Sequence, residues 1–121
     1  MRVFDTNVMP EAIENIREYI SVTDLNGRLN DVLEEGIGEV FFQGEISELK
    51  HAASGHLYFS VKDDKSQVSA VMWRGLQSAL KFMPKAGLQV LGHGRPNVYH
   101  VSGKLQLVVH FMTLAGEGLL Q

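Results

Sequence analysis

The side chains with the most chemistry in this chain fall in two short neighbouring segments, Leu57–Lys62 and Gln67–Trp73. In LYFSVK, Leu57, Phe59 and Val61 alternate with Tyr58, Ser60 and Lys62. In QVSAVMW, Val68, Ala70 and Met72 alternate with Gln67, Ser69, Val71 and Trp73, and Arg74 follows at once. Successive side chains of a strand point to opposite faces, so one face of such a pair is apolar. The other carries a phenol, an ammonium, an indole and a guanidinium. Aromatic planes beside cations on an open sheet face suit unpaired bases, which stack, and phosphates, which attract the cations.

The rest of the chain has to position those two strands. Pro10 suits a first helical position, and Ile13, Ile16 and Ile20 follow at near-helical spacing. A second helix begins with Thr23 as N-cap, carries Leu25, Leu29, Val32 and Leu33 on one face, and ends at Gly36. The period then falls to two. Val40, Phe42, Gly44 and Ile46 share a face of a first strand, and Gly44 marks a bend or bulge there. The Tyr58 and Trp73 strands come next, joined by the polar turn Asp63-Asp64-Lys65-Ser66. RGLQSALKFMP reads as a short helix with Leu76, Leu80 and Met83 apolar, stopped before Pro84. Leu88–Tyr99 is a fourth strand, interrupted by Gly92, Gly94 and Pro96. His100-Val101-Ser102-Gly103 turns the chain into a fifth, Lys104–Met112, whose Leu105, Leu107, Val109 and Phe111 face inward. Phe59 and Phe111 are both assigned to the core.

The expected fold is therefore mainly β. Five strands with a helix between the third and fourth, after an N-terminal helical segment, have the connectivity of the OB-fold, a Greek-key barrel. The boundaries are a helical extension over 1–36, a barrel over 37–113 and the start of a linker over 114–121. In an OB-fold the ligand surface is the face of strands two and three with the loops joining strands one–two and four–five. Here these loops are Lys50–His56 and His100–Gly103. A small open α+β sheet is the rival architecture; the helix position and the strand glycines favour the barrel.

Composition sets limits. With 121 residues and 45% apolar content, the chain can bury a real core. The absence of cysteine excludes disulfides and thiolate metal sites. No apolar run approaches the ~20 residues of a membrane span, and the N-terminus lacks a secretory h-region; a cytoplasmic protein with no membrane partner is expected. The net charge of −3 argues against a strongly basic nucleic-acid binder. Its distribution weakens that objection. Residues 1–36 hold three Arg and eight Asp or Glu, and residues 37–121 hold eight Lys or Arg, six Asp or Glu and all five His. The barrel portion is thus mildly basic.

No catalytic constellation is evident. Glu45 and Glu48, three apart on a strand, are expected on opposite faces and so unable to work as an acid/base pair. Asp63 and Asp64 read as turn formers without a third metal ligand. The histidines lack metal-ligand spacing, and His93 and His110 read as structural or exposed bystanders. No glycine-rich loop opens a helix to cradle phosphate. No catalytic residue, metal or cofactor is expected in this domain.

Three motifs in order, GEIS (Gly44–Ser47), SGHLYFSVKDD (Ser54–Asp64) and QVSAVMWRG (Gln67–Gly75), resemble the N-terminal domain of the exonuclease VII large subunit. The preceding VTDLNGRLNDVLE (Val22–Glu34) and the following AGEGLLQ (Ala115–Gln121) resemble the flanks of the same family. The similarity covers about residues 20–121 and leaves residues 1–19 unmatched. It implies an OB-fold that binds single-stranded DNA for a nuclease, a hydrolase of DNA catabolism working from strand ends. It also implies a small helical partner subunit and a catalytic domain further along the large subunit. That domain is expected after Leu119-Leu120-Gln121, so this chain should be inactive alone, and the domain's divalent metal is left open.

In the family an aromatic followed by Arg stands where Trp73 and Arg74 stand here. The nucleic-acid-binding candidates are Trp73, Arg74, Tyr58, Lys62, His56 and Lys50. Each has a plainer reading: Trp73 as a core aromatic, Arg74 as a cap on the barrel mouth, Tyr58 and Lys62 as ordinary exterior residues, His56 as a brace for its loop. Two other functions stay open. One is a protein-interaction module using an apolar patch around Val71 and Trp73. The other is an RNA-binding domain of the tRNA-anticodon type, reading 2′-hydroxyls. The N-terminal helices are expected either to pack on the barrel or to join a second copy.

Overall fold

A computed structural model describes residues 17–116. A helix, α1 (Val22–Gly36), leads into five strands: β1 (Val40–His51), β2 (Leu57–Lys62), β3 (Gln67–Met72), β4 (Gln89–Val98) and β5 (Leu105–Leu114). The strands close in the order β1-β2-β3-β5-β4, with β3 and β5 parallel and every other pair antiparallel. Closure removes the unpaired strand edges that would otherwise invite association. The connection between β3 and β4 carries a short 3₁₀ helix, Arg74–Ala79, followed by extended chain. The OB connectivity expected from the sequence is the one observed. No helix among the described residues is long and apolar enough to cross a membrane.

The inner faces supply the core: Ile46 from β1, Leu57, Phe59 and Val61 from β2, Ala70 and Met72 from β3, Val90 from β4, and Leu107, Val109 and Met112 from β5. Leu80 and Phe82 of the β3–β4 connection pack against it. The expected α-helix there is only a six-residue 3₁₀ helix, and Met83 is exposed. Gly75 near the start of this segment and Pro84 at its end leave too few helix-forming positions for an α-helix to outrun its nucleation cost.

Helix α1 departs from expectation at its start and in the face it docks. Its N-cap is Ser21, whose Oγ accepts from the Asp24 N–H at 3.0 Å, and not Thr23. Its left-handed terminator is Gly38, at φ +64°, two residues beyond Gly36. The helix docks on β4 through asparagines. The Asn30 amide donates to the Val98 carbonyl at 3.0 Å, and its carbonyl accepts from the Val98 N–H at 2.7 Å. Asn26 donates to the carbonyl of His100 at 3.2 Å. The apolar residues Val22, Leu25, Leu29 and Val32 remain exposed; of the expected stripe only Leu33 is half-buried. Strand β4 ends against α1 with free backbone groups, so an amide that both donates and accepts satisfies them better than a leucine. The proposed first helix over Pro10–Ile20 lies largely outside the described residues, and 17–21 are not helical.

Two bulges set which side chains point outward. In β1 the register runs Ser47 opposite Ser60, then Lys50 opposite Tyr58, leaving one extra residue in β1. Glu48 takes it up with φ +52°, a left-handed conformation unusual for a residue with a side chain. The break is therefore at Glu48 and not at Gly44. At Gly44 a Cβ would lie 2.6 Å from Val61 and 2.9 Å from the Lys62 carbonyl, so the glycine is there for close strand approach. In β5, Phe111 faces His93 and Val109 faces Gly94, leaving His110 as the extra residue. Parity flips beyond it: Met112, not Phe111, enters the core. Gly92 and Gly94 do not interrupt β4; they let its neighbours approach, a Cβ on Gly94 falling 2.1 Å from the Val108 carbonyl oxygen.

Candidate nucleic-acid interface

The outer faces of β1, β2 and β3 line up in cross-strand rows. Glu45, Lys62 and Gln67 make one; Ser47, Ser60 and Ser69 the next; Lys50, Tyr58 and Val71 the third. Continuing the β2–β3 register places His56 opposite Trp73. At ~3.3 Å per residue, the stretch from the His56 row to the Lys62 row is about 20 Å.

Trp73 stands at the end of β3, 37% exposed and outside the core cluster. It is held from the side: its ring meets His56 edge-on, with centroids 5.0 Å apart and planes at 72°. His56 is itself fixed, since its Nδ1 accepts from the Arg74 backbone N–H at 3.0 Å. That bond places the ring proton on Nε2 when the imidazole is neutral. The loop before β2 is tied to the same corner. Gln77 donates to the carbonyls of Gly55 at 2.9 Å and Met72 at 3.1 Å. Arg74 lies across Gly55 and approaches the Ser54 carbonyl at 3.5 Å, a long contact that leaves the guanidinium exposed. Gln77 is absent from the residues singled out on sequence grounds. A lone glutamine in a polar turn carries no local signal; only the fold brings it between two loop ends.

Tyr58 is exposed beside Lys50. Lys62, two rows from Tyr58, faces the Glu45 carboxylate at 4.0 Å, so its charge is already shared. Val71, expected on the outer face, is fully buried yet lies outside the core cluster. It is flanked in the sheet by Tyr58 and Val108. An apolar docking patch around Val71 and Trp73 is thereby reduced to the indole. Glu48 overturns another expectation. The bulge brings it onto the same face as Glu45, where its Oε1 accepts from the Ser60 hydroxyl at 3.0 Å and covers that buried serine.

Against these rows lies the hairpin joining β4 to β5, closed by the Gly103 N–H donating to the Tyr99 carbonyl at 2.7 Å. Together they enclose a groove of ≈ 670 Å³. Lys50, Tyr58 and Ser69 line one wall, and Tyr99, Lys104 and Gln106 the other. Tyr99 and Lys104 were not among the sequence candidates; an aromatic and a cation bracketing the four–five turn would have been the signal. Of the six candidates, Trp73, Arg74 and His56 form one corner, Tyr58 and Lys50 form the groove wall, and Lys62 stands apart. The turn at the far end is held by Asp63, whose Oδ1 accepts from the N–H groups of Lys65 and Ser66 at 2.8 Å each. Those two bonds, Lys65 first, hold its carboxyl below the usual carboxylate range.

A second cluster occupies the outer face of β1, β4 and β5. The His93 Nδ1 and Glu39 Oε2 lie 2.5 Å apart, and His110 Nδ1 lies 3.6 Å from the same oxygen. The hydrogen bond from His93, with a lesser contribution from the nearby His110 imidazole, holds the Glu39 carboxyl below its usual range against partial desolvation. The two histidines, expected to be structural or exposed bystanders, converge on one carboxylate. Phe111, expected in the core, flanks them beside the strongly exposed Phe41.

Residues 20–113 match the family model described as OB-fold nucleic acid binding domain. The chain is 43% identical over 105 residues to a protein named exodeoxyribonuclease 7 large subunit from Geotalea uraniireducens, covering 87% of this chain and 24% of that one. It is 44% identical over 107 residues to the protein of the same name from Bartonella quintana, covering 88% and 22%. The chain thus spans less than a quarter of the length of these relatives. Among solved structures, a replication protein A heterotrimer bound to ssDNA superposes with a TM-score of 0.54 at 14% identity, over 69% of this chain and 62% of that one. The Stn1–Ten1 complex of S. pombe does so with 0.52 at 12%, over 67% and 60%. At such identities these two show the fold alone. The barrel order, the groove beside β2 and β3, and the match over residues 20–113 place this chain in the family of OB-fold nucleic acid binding domains.

Proposed function

We propose that this domain binds single-stranded DNA without strong sequence preference, as the strand-binding module of an exodeoxyribonuclease VII large subunit. The observation that carries the reading is the indole of Trp73, braced edge-on by His56 and presented outward at the end of the row-ordered face. Bases stack on Trp73 and on Tyr58 or Tyr99; Arg74, Lys50 and Lys104 meet phosphates. Stacking is sequence-tolerant because every base has a π-face. The relatives named exodeoxyribonuclease 7 large subunit support this choice of ligand, as does the ssDNA bound to the replication protein A heterotrimer.

In the longer protein this module would guide the strand toward a nuclease centre elsewhere in the large subunit. Cleavage and the small helical subunit belong to that remainder, and this chain alone binds without cutting. Titration of the 121-residue chain with labelled single-stranded DNA, duplex DNA and matched RNA tests the binding. Single-stranded DNA is expected to bind tightest. Equal or tighter binding of duplex would remove the stacking mechanism, and a clear RNA preference would transfer the reading to an anticodon-type domain. For the guiding role, an enzyme deleted of this barrel should lose degradation of single strands; undiminished degradation would refute it.

A further inference from the structure

We propose that Glu39, His93 and His110 form a binding site for a late first-row divalent cation of the zinc type, on the side of the barrel away from the nucleic-acid groove. One ligand atom from each lies within 4.8 Å of the others. Tetrahedral ligands about 2 Å from a zinc ion sit about 3.3 Å apart. The observed separations from Glu39 Oε2, 2.5 Å to His93 and 3.6 Å to His110, straddle that spacing. Small side-chain rotations therefore admit an ion where the hydrogen bond now runs. Two imidazoles and one carboxylate are a donor set that favours zinc, nickel, copper or iron over magnesium or calcium.

The backbone builds this juxtaposition. Gly38 turns the chain out of α1 at φ +64° and delivers Glu39 immediately before β1. The β1–β4 register sets Phe41 beside His93, and their rings lie 5.3 Å apart. In β5 the bulge throws His110 outward, next to His93 with ring centroids 6.0 Å apart. Gly94 makes the bulge possible, since any Cβ there would strike the Val108 carbonyl. Phe41 and Phe111 flank the His93 imidazole. Arg95, on the same strand, is a cation that would oppose a metal, but its guanidinium is paired with the carboxylate of Glu34. Three protein ligands leave at least one position to water, so the site is open.

Co²⁺ titration of the untagged 121-residue chain, read by its visible d–d absorption, tests the site, with Zn²⁺ as displacing ion and Mg²⁺ as control. Expected are visible bands that saturate at one ion per chain, are erased by Zn²⁺ and are unaffected by excess Mg²⁺. His93→Ala, His110→Ala and Glu39→Gln should each weaken binding about tenfold or more, since even outer-shell changes reach that size. As a second readout, Zn²⁺ should raise the Tm of the native chain and not that of the His93→Ala/His110→Ala double variant. Binding of single-stranded DNA by His110→Ala should be unchanged, which separates failure here from failure of the nucleic-acid reading. Absence of bands, or bands and a Tm shift that persist in the double variant, would overturn the proposal.

Discussion

At the scale of the residue, orientation matters more than identity. Trp73 follows the fully buried Val71 and Met72, yet strand parity and the turn after Met72 leave it partly in solvent. Trp73→Ala should weaken binding of single-stranded oligonucleotides about tenfold, or ~1.4 kcal/mol, within the roughly 1–3 kcal/mol per base of aromatic stacking. Fluorescence anisotropy measures the loss, with circular dichroism to establish that the fold is retained; unchanged affinity would exclude stacking at this site. Asp63 gives a pH signature. Its folded pKa is depressed by two backbone N–H donors, so its stabilisation of the β2–β3 turn is complete above the usual carboxylate range. It is lost as the pH falls through the depressed value. Replacing Asp63 with Asn should flatten that acid-side loss in pH-dependent unfolding curves.

At the scale of the element, close approach and amide capping do what apolar packing was expected to do. Gly94→Ala puts a methyl 2.1 Å from a carbonyl oxygen and 2.9 Å from the Cα of Val109, both backbone atoms that cannot swing away. The variant should lose about 3 kcal/mol in urea unfolding. Asn30→Ala removes both of its bonds to Val98 and leaves that backbone pair unmet between α1 and β4. The expected loss is about 1–3 kcal/mol, with little change when the exposed Val32 is replaced by Ala. Equal effects at the two positions would mean that the helix is held by its apolar stripe after all.

At the scale of the molecule, charge is segregated. The first 36 residues hold a balance of −5 and the remainder +2, from three basic against eight acidic residues and eight against six. Among the described residues, Lys50 and Lys104 at the groove and Arg74 at the Trp73 corner face no carboxylate, while Lys62 faces Glu45 and Glu48 adds a negative charge. Three phosphate contacts imply a slope of log affinity against log salt of about −2 for single strands. A titration series between low and physiological salt reads it directly. A flat series would exclude phosphate contacts from these cations.

Much was legible in the residue order. The two-residue alternation in Leu57–Lys62 and Gln67–Met72, the polar turn between them and the sequence of five strands around a break all follow from local patterning, because strand parity and turn chemistry act over a few residues. Those same features marked the outer aromatic and cationic residues. The bulges at Glu48 and His110 were not legible, because an extra residue in one strand is defined only against the register of its neighbour. Each bulge flipped a side chain: Glu48 onto the face of Glu45, and Phe111 out of the core with Met112 in its place. The pairing of Asn30 with Val98 and the convergence of Glu39, His93 and His110 were likewise decided by barrel closure. Glu39 and His93 are 54 residues apart and Asn30 and Val98 are 68 apart, so neither pair shares a local period, and only the tertiary structure brings them together.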